Sequence, residues 1–237
     1  MVAARNLIVA DPKSPFAEAF RALRTNLQFT SVDKKVKSIL ITSSLPNEGK
    51  STVVKNLAYS VALTGSKVIV IDADLRNPTV HKTFNLPNSR GLTNLLIDEG
   101  DYEAYLNIDN SYNNLHILTS GPIPPNPAEL LGSNKMKKLL SNIQKDYDYV
   151  FIDSPPVVTV TDAVVLAPVV DGVILVIQAG KTEIEAISRA KEILESVKAN
   201  ILGVVLNRVK ESHRGYYYYY YYYYDDNKPQ HKKRRKR

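Results

Sequence analysis

Short apolar runs alternate along this chain with longer segments in which apolar residues recur at the spacing of a helix. The runs are rich in Val and Ile and do not alternate with polar residues, which is typical of strands buried on both faces of a parallel sheet. Helical segments between such strands supply the crossover connections that parallel pairing requires. The pattern therefore predicts an α/β fold with a mostly parallel central sheet and helices on both faces. The predicted strands are residues 36–42, 67–71, 115–119, 149–152, 172–177 and 201–206.

The first predicted helix has a well-marked start. Ser14 suits the N-cap and Pro15 the first helical position, and the helical spacing of apolar residues continues to about Phe29. Two further helices are predicted at residues 49–63 and 183–199. In the first helix the apolar stripe and the charged face are distinct: the stripe holds Phe16, Phe20, Leu23 and Leu27, and the charged face holds Glu18, Arg21 and Arg24.

The formal net charge of +7 is concentrated near the C-terminus. From residue 211 onward, eight basic residues stand against three acidic ones, which gives this segment +5 and leaves +2 for the rest of the chain. We therefore predict a globular domain at residues 1–210 and a disordered tail, rich in tyrosine and basic residues, at residues 211–237.

The composition also bears on the compartment. The chain has no cysteine, which fits a reducing environment. Its N-terminal residues lack the apolar core of a secretory signal, and its most apolar stretch, residues 163–179, is interrupted by Pro168 and Asp171. We therefore expect a cytoplasmic protein without a membrane span in this sequence.

Residues 44–52 have the spacing of a Walker A phosphate-binding loop, with Ser44 where the first glycine usually stands. A Gly-Lys-Ser-Thr string can occur by chance, but this one follows a predicted strand and precedes a predicted helix. Backbone N–H groups and the helix N-terminus can then hold phosphate oxygens. In this interpretation Lys50 reaches the β- and γ-phosphates of ATP and the Ser51 hydroxyl binds Mg²⁺. The nucleotide-binding candidates in the loop are Ser44, Glu48, Gly49, Lys50, Ser51 and Thr52.

Carboxylates end two of the predicted strands. Asp72 and Asp74 follow one apolar run, and Asp153 follows another. A single Asp in this position can be a turn residue or a helix cap. Three of them beside a Walker A loop predict a magnesium–nucleotide site, because ligands in open α/β sheets bind at the carboxyl ends of the strands. The candidate metal ligands are Ser51, Asp74 and Asp153.

In combination these motifs resemble the bacterial protein-tyrosine kinases (BY-kinases) of capsular and exopolysaccharide biosynthesis, which use Walker A, A′ and B motifs in a P-loop fold. The resemblance spans residues 14–224, nearly the whole chain. Its pieces are Glu18-x-x-Arg21-x-x-Arg24, Gly49-Lys50-Ser51-Thr52, Asp72-x-Asp74-x-Arg76, Asp153-Ser-Pro-Pro156 and a run of tyrosines near the C-terminus.

The resemblance implies an ATP- and Mg²⁺-dependent autokinase that regulates polysaccharide synthesis or export. Lys50 would offset charge on the γ-phosphoryl group, and Asp72 would accept the proton of the tyrosine. Arg76 would either stabilise developing charge or form a salt bridge that fixes Asp72 or Asp74. In related ATPases a residue at the position of Asn207 contacts the adenine.

The resemblance also implies a phosphorylated tail and a homo-oligomeric ring, in which the tail of one subunit enters the site of its neighbour. The helix at residues 14–29, with Glu18, Arg21 and Arg24, would form the subunit interface; a solvated helix face is the alternative. A stacking or self-association element is the alternative for the tyrosine run. The candidate acceptors are Tyr216, Tyr217, Tyr218, Tyr219, Tyr220, Tyr221, Tyr222, Tyr223 and Tyr224.

Two kinds of partner are expected from the resemblance and one from the charge of the C-terminus. They are a membrane-spanning activator of the polysaccharide co-polymerase type, a cognate tyrosine phosphatase, and an anionic membrane surface for the basic residues 231–237. A solvated terminus is equally compatible with these basic residues, and we expect no nucleic acid partner. Through the activator the protein would lie at the inner face of the cell membrane.

Two other interpretations remain at this point. One is a switch ATPase of the cell-division and plasmid-partition type (MinD/ParA), but that branch has an extra lysine where this chain has Leu45. The other is a nucleotide-dependent adaptor without enzymatic activity, which the full set of predicted catalytic residues argues against.

Overall fold

The computed structural model describes residues 11–30, 36–98 and 100–209. The predicted tail at residues 211–237, including the tyrosine run, lies outside the described residues. Within them, no helix is both long enough and apolar enough to span a bilayer.

A seven-stranded sheet forms the centre of the described region, with the order β3-β4-β2-β5-β1-β6-β7. All neighbouring strands are parallel except β3 and β4, so the predicted mostly parallel sheet is confirmed. Antiparallel β3 has two residues and no apolar run, and the sequence pattern did not predict it. The strands are β1 (Ser38–Ser43), β2 (Val68–Asp72), β3 (Asn107–Ile108), β4 (Leu115–Leu118), β5 (Tyr149–Asp153), β6 (Gly172–Gln178) and β7 (Ile201–Asn207).

Helices cover both faces of the sheet, and each face has its own hydrophobic core. The first helix runs from Pro15 to Phe29, and the Ser14 hydroxyl accepts a hydrogen bond from the Ala17 N–H, as the N-cap prediction required. The helices are α1 (Pro15–Phe29), α2 (Lys50–Ala62), α3 (Val80–Phe84), α4 (Leu92–Ile97), α5 (Pro127–Leu131), α6 (Asn134–Asp146), α7 (Asp162–Leu166) and α8 (Ile184–Ser196).

One core lies under α1, α2 and α3, where Phe20, Leu57 and Phe84 pack against Ile39, Ile41 and Phe151 of the sheet. The other lies under the helices that follow, where Leu140 and Leu194 pack with Leu40 and Ile152. Both faces of β1 and β5 are buried in this way, and the middle of each strand is accordingly apolar, Ile39–Ile41 in β1 and Val150–Ile152 in β5.

The sheet order brings the predicted site together. Strand β5 lies between β1 and β2, and Asp72 at the end of β2 pairs in register with Asp153 at the end of β5. Strand β1 leads directly into the predicted phosphate loop, which α2 follows. The loop and the carboxylates therefore lie at the same edge of the sheet.

Candidate functional site

The phosphate loop connects β1 to α2, and Gly49 is the residue that its shape depends on. Gly49 has a φ of +91°, in the left-handed region that glycine adopts without strain. A Cβ at this position would clash with the side-chain nitrogen of Asn207. Asn207, at the end of β7, donates from Nδ2 to the Glu48 carbonyl oxygen at 2.8 Å. This predicted adenine contact therefore also holds the backbone of the loop.

Glu48 and Ser44, two predicted nucleotide-binding residues, point into the protein. The buried Glu48 carboxylate accepts hydrogen bonds from the Leu45 N–H at 2.9 Å and from the Thr182 hydroxyl. The Ser44 hydroxyl is buried and has no hydrogen-bond partner among the described residues. Thr52, in contrast, is exposed. The Glu48 side chain thus stabilises the loop through hydrogen bonds on its buried side.

Ser51 and Asp153, two of the predicted metal ligands, are in direct contact. The Ser51 hydroxyl lies 2.6 Å from Asp153 Oδ2 and 2.8 Å from the hydroxyl of Thr79. The other carboxylate oxygen of Asp153 is buried and has no hydrogen-bond partner among the described residues. Thr79, the residue before α3, is a site residue that the sequence analysis missed, because only the fold brings it to Ser51.

Lys50 and Asp74 form an ion pair, with 3.2 Å between Lys50 Nζ and Asp74 Oδ2. The second oxygen of Asp74 accepts a hydrogen bond from the Asn77 N–H at 3.1 Å. Both side chains are largely buried. In this arrangement Lys50, the predicted phosphate contact, and Asp74, a predicted metal ligand, therefore neutralise each other's charge.

Asp72 is buried at the end of β2, and its carboxylate accepts hydrogen bonds from the backbone N–H groups of Asp74 at 3.2 Å and Val80 at 3.0 Å. Burial raises the pKa of Asp72 well above its usual range, and the negative charges of Asp153 and Asp74 raise it further. The two backbone hydrogen bonds oppose this rise of the pKa. Asp72 is consequently a stronger base than an ordinary aspartate.

Burial also raises the pKa of Asp153 to about 6, although the charge of Lys50 and the Ser51 hydrogen bond favour the ionised carboxylate. No three acidic, histidine or cysteine side chains are grouped as a metal cage in the part of the chain that the structure describes. A site with few protein ligands is what Mg²⁺ uses beside nucleotide phosphates. The buried oxygen of Asp153 and the adjacent Ser51 hydroxyl fit such an ion.

Arg76 pairs with a residue that the sequence analysis did not single out. Its Nε lies 3.1 and 3.0 Å from the two carboxylate oxygens of Asp162, which is buried at the start of α7. The alternative that Arg76 forms a salt bridge with Asp72 or Asp74 is therefore wrong. No sequence motif marked Asp162, since its contact depends on the packing of two distant segments.

The charged residues of α1 make contacts within the same chain. Arg21 forms an ion pair with Glu18 at 2.5 Å and donates to the Pro12 carbonyl oxygen at 2.7 Å. Arg24 is half-buried and donates to the Ser60 carbonyl oxygen of α2 at 2.6 Å. Glu18 thus lies on the outer face as predicted, whereas Arg24 helps to hold α1 against α2.

The sequence resembles those of known kinases over most of its length. A family described as an AAA domain matches residues 36–205. The chain is 49% identical to the tyrosine-protein kinase YwqD of Bacillus subtilis, over 88% of each protein. It is 41% identical to the putative tyrosine-protein kinase CapB of Staphylococcus aureus, over 84% of this chain and 86% of that protein.

Solved structures agree with this assignment. The kinase domain of Escherichia coli tyrosine kinase ETK superposes with a TM-score of 0.81 at 33% identity, covering 86% of this chain and 82% of that one. The septum site-determining protein MinD of Pyrococcus horikoshii, at 24% identity and a TM-score of 0.63 over 75% of this chain and 72% of that one, shares the nucleotide-binding fold alone. The protein thus belongs to the bacterial tyrosine-protein kinases of capsular and exopolysaccharide biosynthesis.

Proposed function

We propose that this kinase transfers the γ-phosphoryl group of ATP to tyrosine hydroxyls, including those of its own tail, and thereby regulates the synthesis or export of a polysaccharide. One observation carries the proposal: Asp72 and Asp153 end neighbouring strands in register, beside the Lys50–Asp74 pair and the Ser51 hydroxyl. Carboxylates, a lysine and a helix N-terminus are the groups that phosphoryl transfer from a nucleotide requires.

The phosphate loop and the carboxylates divide the binding of ATP and Mg²⁺ between them. The backbone of residues 44–50 and Lys50 would hold the phosphates, and Asn207 would lie at the adenine side of the loop. Ser51 and Asp153 would hold Mg²⁺, with Asp74 joining directly or through water once Lys50 moves to the phosphates. When bound, Mg²⁺ supplies charge neutralisation on the β- and γ-phosphate oxygens.

In the proposed reaction, the phenol oxygen of a tyrosine forms a bond to the γ-phosphorus. The bond from that phosphorus to the bridging oxygen breaks, and ADP leaves with the electron pair. The phenol proton passes to Asp72, whose raised pKa supports this role. Because Asp72 is covered and receives a hydrogen bond from the first residue of α3, the α3 segment must move to admit the phenol.

The assembly is part of the same proposal. Residues 1–210 would form the kinase domain and residues 211–237 a tail that is phosphorylated in trans at Tyr216–Tyr224. Subunits would form a ring through α1, with Glu18 and Arg21 on the outer face supporting an interface role. A membrane-spanning activator would bring the protein to the inner face of the membrane, and a cognate phosphatase would reset the tail.

Mass spectrometry of the tail after incubation with ATP and Mg²⁺ tests the proposal. Wild-type protein should acquire phosphate on several tail tyrosines, and EDTA should prevent this. Lys50→Met should abolish phosphorylation without loss of the fold, because it removes charge stabilisation from the transferred group. The matched control is Lys55→Met on the same helix, since Lys55 donates to the Thr83 carbonyl oxygen instead. Undiminished phosphotyrosine in Lys50→Met would falsify the assignment.

A further inference from the structure

The buried carboxylate of Asp162 has one charged partner in the described residues, Arg76. Asp162 has no exposed surface, whereas 41% of the Arg76 side chain is exposed. Burying a carboxylate to this extent is costly unless a cation or hydrogen bonds accompany it. Arg76 supplies the cation, and its single Nε–H lies within 3.1 Å of both carboxylate oxygens. Asp162 therefore holds the guanidinium group of Arg76 from the side that faces the protein interior.

The position of the ion pair links it to the site. Arg76 lies on the loop that leaves β2 after Asp72 and Asp74, and Asp162 lies on the segment that leaves β5 after Asp153. These loops meet at the carboxyl edge of the sheet, where the two strands are adjacent. The pair therefore joins the two segments that carry all three site carboxylates.

The guanidinium group keeps donors available after this contact. A guanidinium carries five N–H donors in a planar fork, and the contact with Asp162 uses only the one on Nε. The Nη groups of Arg76 donate no hydrogen bond to any residue in the described ranges. A planar fork held at Nε presents its remaining N–H groups in a fixed direction.

We propose that Asp162 is a positioning residue, which holds Arg76 so that its Nη groups meet the phosphoryl group in transfer. This inference rests on the proposed kinase reaction. The competing role is purely structural, because an acidic residue in the first turn of α7 also interacts favourably with the helix dipole. The two roles differ in whether the effect of Asp162 on the rate depends on Arg76.

The test measures kcat for phosphorylation of a tyrosine peptide, together with the Kd of a fluorescent ATP analogue, in full-length protein. Asp162→Asn should lower kcat about 10- to 100-fold, because a misplaced charge loses most of its effect on a transition state. The Kd should change less than about twofold, since the phosphate loop is untouched. Asp162→Glu, which keeps the charge, should recover part of kcat and serves if Asp162→Asn folds poorly.

A double-variant comparison separates positioning from structure. In an Arg76→Gln background, Asp162→Asn should cause no further loss of kcat. An equal loss of kcat in both backgrounds would overturn the inference. Asp109→Asn is the matched control, since this buried carboxylate accepts a hydrogen bond from Tyr59 at the opposite edge of the sheet; it should lower stability and leave kcat unchanged.

The same variants distinguish this inference from the proposed reaction. If Arg76→Gln lowers kcat and Asp162→Asn does not, only the positioning role of Asp162 fails. If Arg76→Gln itself leaves kcat unchanged, Arg76 does not act on the phosphoryl group and the inference fails, while the proposed kinase reaction, tested by Lys50→Met, stands.

Discussion

At the scale of single residues, Asp153 is a candidate metal ligand whose burial costs stability. Its carboxylate is buried beside Asp74, and the nearby Lys50 and Ser51 only partly compensate. The result is a pKa of about 6, above the ordinary range of an aspartate. A group that is harder to ionise in the folded state than in the unfolded state weakens folding wherever it is ionised.

This gives a prediction for the dependence of stability on pH. Because the pKa of Asp153 is raised on folding, its contribution is fully present below about pH 4 and is lost as the pH rises through about 6. Asp153→Asn removes the titration, and its amide oxygen can still accept from Ser51. The free energy of unfolding, measured with denaturant in EDTA without nucleotide, should therefore rise in the variant relative to wild type as the pH increases from about 4 to 7. The affinity of the variant for Mg²⁺-nucleotide should fall. Parallel pH curves for the two proteins would contradict this account.

Individual site residues were predictable to the extent that local sequence marks them. The Gly-Lys-Ser-Thr string and aspartates after apolar runs located Lys50, Ser51, Asp72, Asp74 and Asp153. Thr79 and Asp162 carry no such mark. Their partners are 28 and 86 residues away in the chain, so only the packing of the loops at the sheet edge reveals these contacts.

At the scale of elements, the packing of α1 on α2 depends on two reciprocal contacts as well as on apolar burial. Arg24 donates to the Ser60 carbonyl oxygen, and the Ser60 hydroxyl donates to the Phe20 carbonyl oxygen at 3.2 Å. The Phe20 and Leu27 side chains are buried on the face of α1 that packs toward the sheet. The apolar stripe predicted this face, but the contact of Arg24 with a backbone carbonyl has no signature in the sequence.

The prediction for this element separates the two arginines. Arg24→Ala should lower the free energy of unfolding by about 1 kcal/mol, because it leaves a partly buried carbonyl without its charged donor. Arg21→Ala should change it by less than about 0.5 kcal/mol, since both of its partners, Glu18 and the Pro12 carbonyl oxygen, are on the surface. Denaturant titrations at low protein concentration measure the change in free energy of unfolding for each variant. Equal changes for the two substitutions would show that Arg24 contributes no more to stability than Arg21.

Element boundaries were predictable where an apolar run or a cap defined them. The six predicted strands begin and end within two residues of their predicted limits, whereas β3, which has no apolar run, was not predicted. Helices of five residues, such as α3 and α7, are too short for a helical period to appear in the sequence. One of them nevertheless matters for the site, since the N–H of its first residue holds Asp72.

At the scale of the whole molecule, the sheet order explains why distant motifs form one site. The Walker A loop follows β1, Asp72 ends β2 and Asp153 ends β5, and these strands lie side by side in the order β2-β5-β1. Their carboxyl ends therefore face the same edge, as in other open α/β sheets. The charge of +5 is carried by residues 211–237, which lie outside the described residues.

The last prediction concerns phosphorylation between subunits. A donor protein with Tyr216–Tyr224 all replaced by Phe keeps its site, and an acceptor with Lys50→Met keeps its tail. When they are mixed with ATP and Mg²⁺, phosphotyrosine should appear on the acceptor tail at a rate that rises with total protein concentration. Glu18→Ala with Arg21→Ala in both proteins should slow this transfer without changing nucleotide affinity, because these residues lie on the outer face of α1.

Each phosphate adds about −1.5 to −2 charges, so a few transfers should reverse the sign of the tail and slow the later ones. Mass spectrometry of the separated acceptor decides the matter: if its tail stays unmodified at every concentration while wild type modifies itself, transfer occurs within one chain and α1 has no part in it.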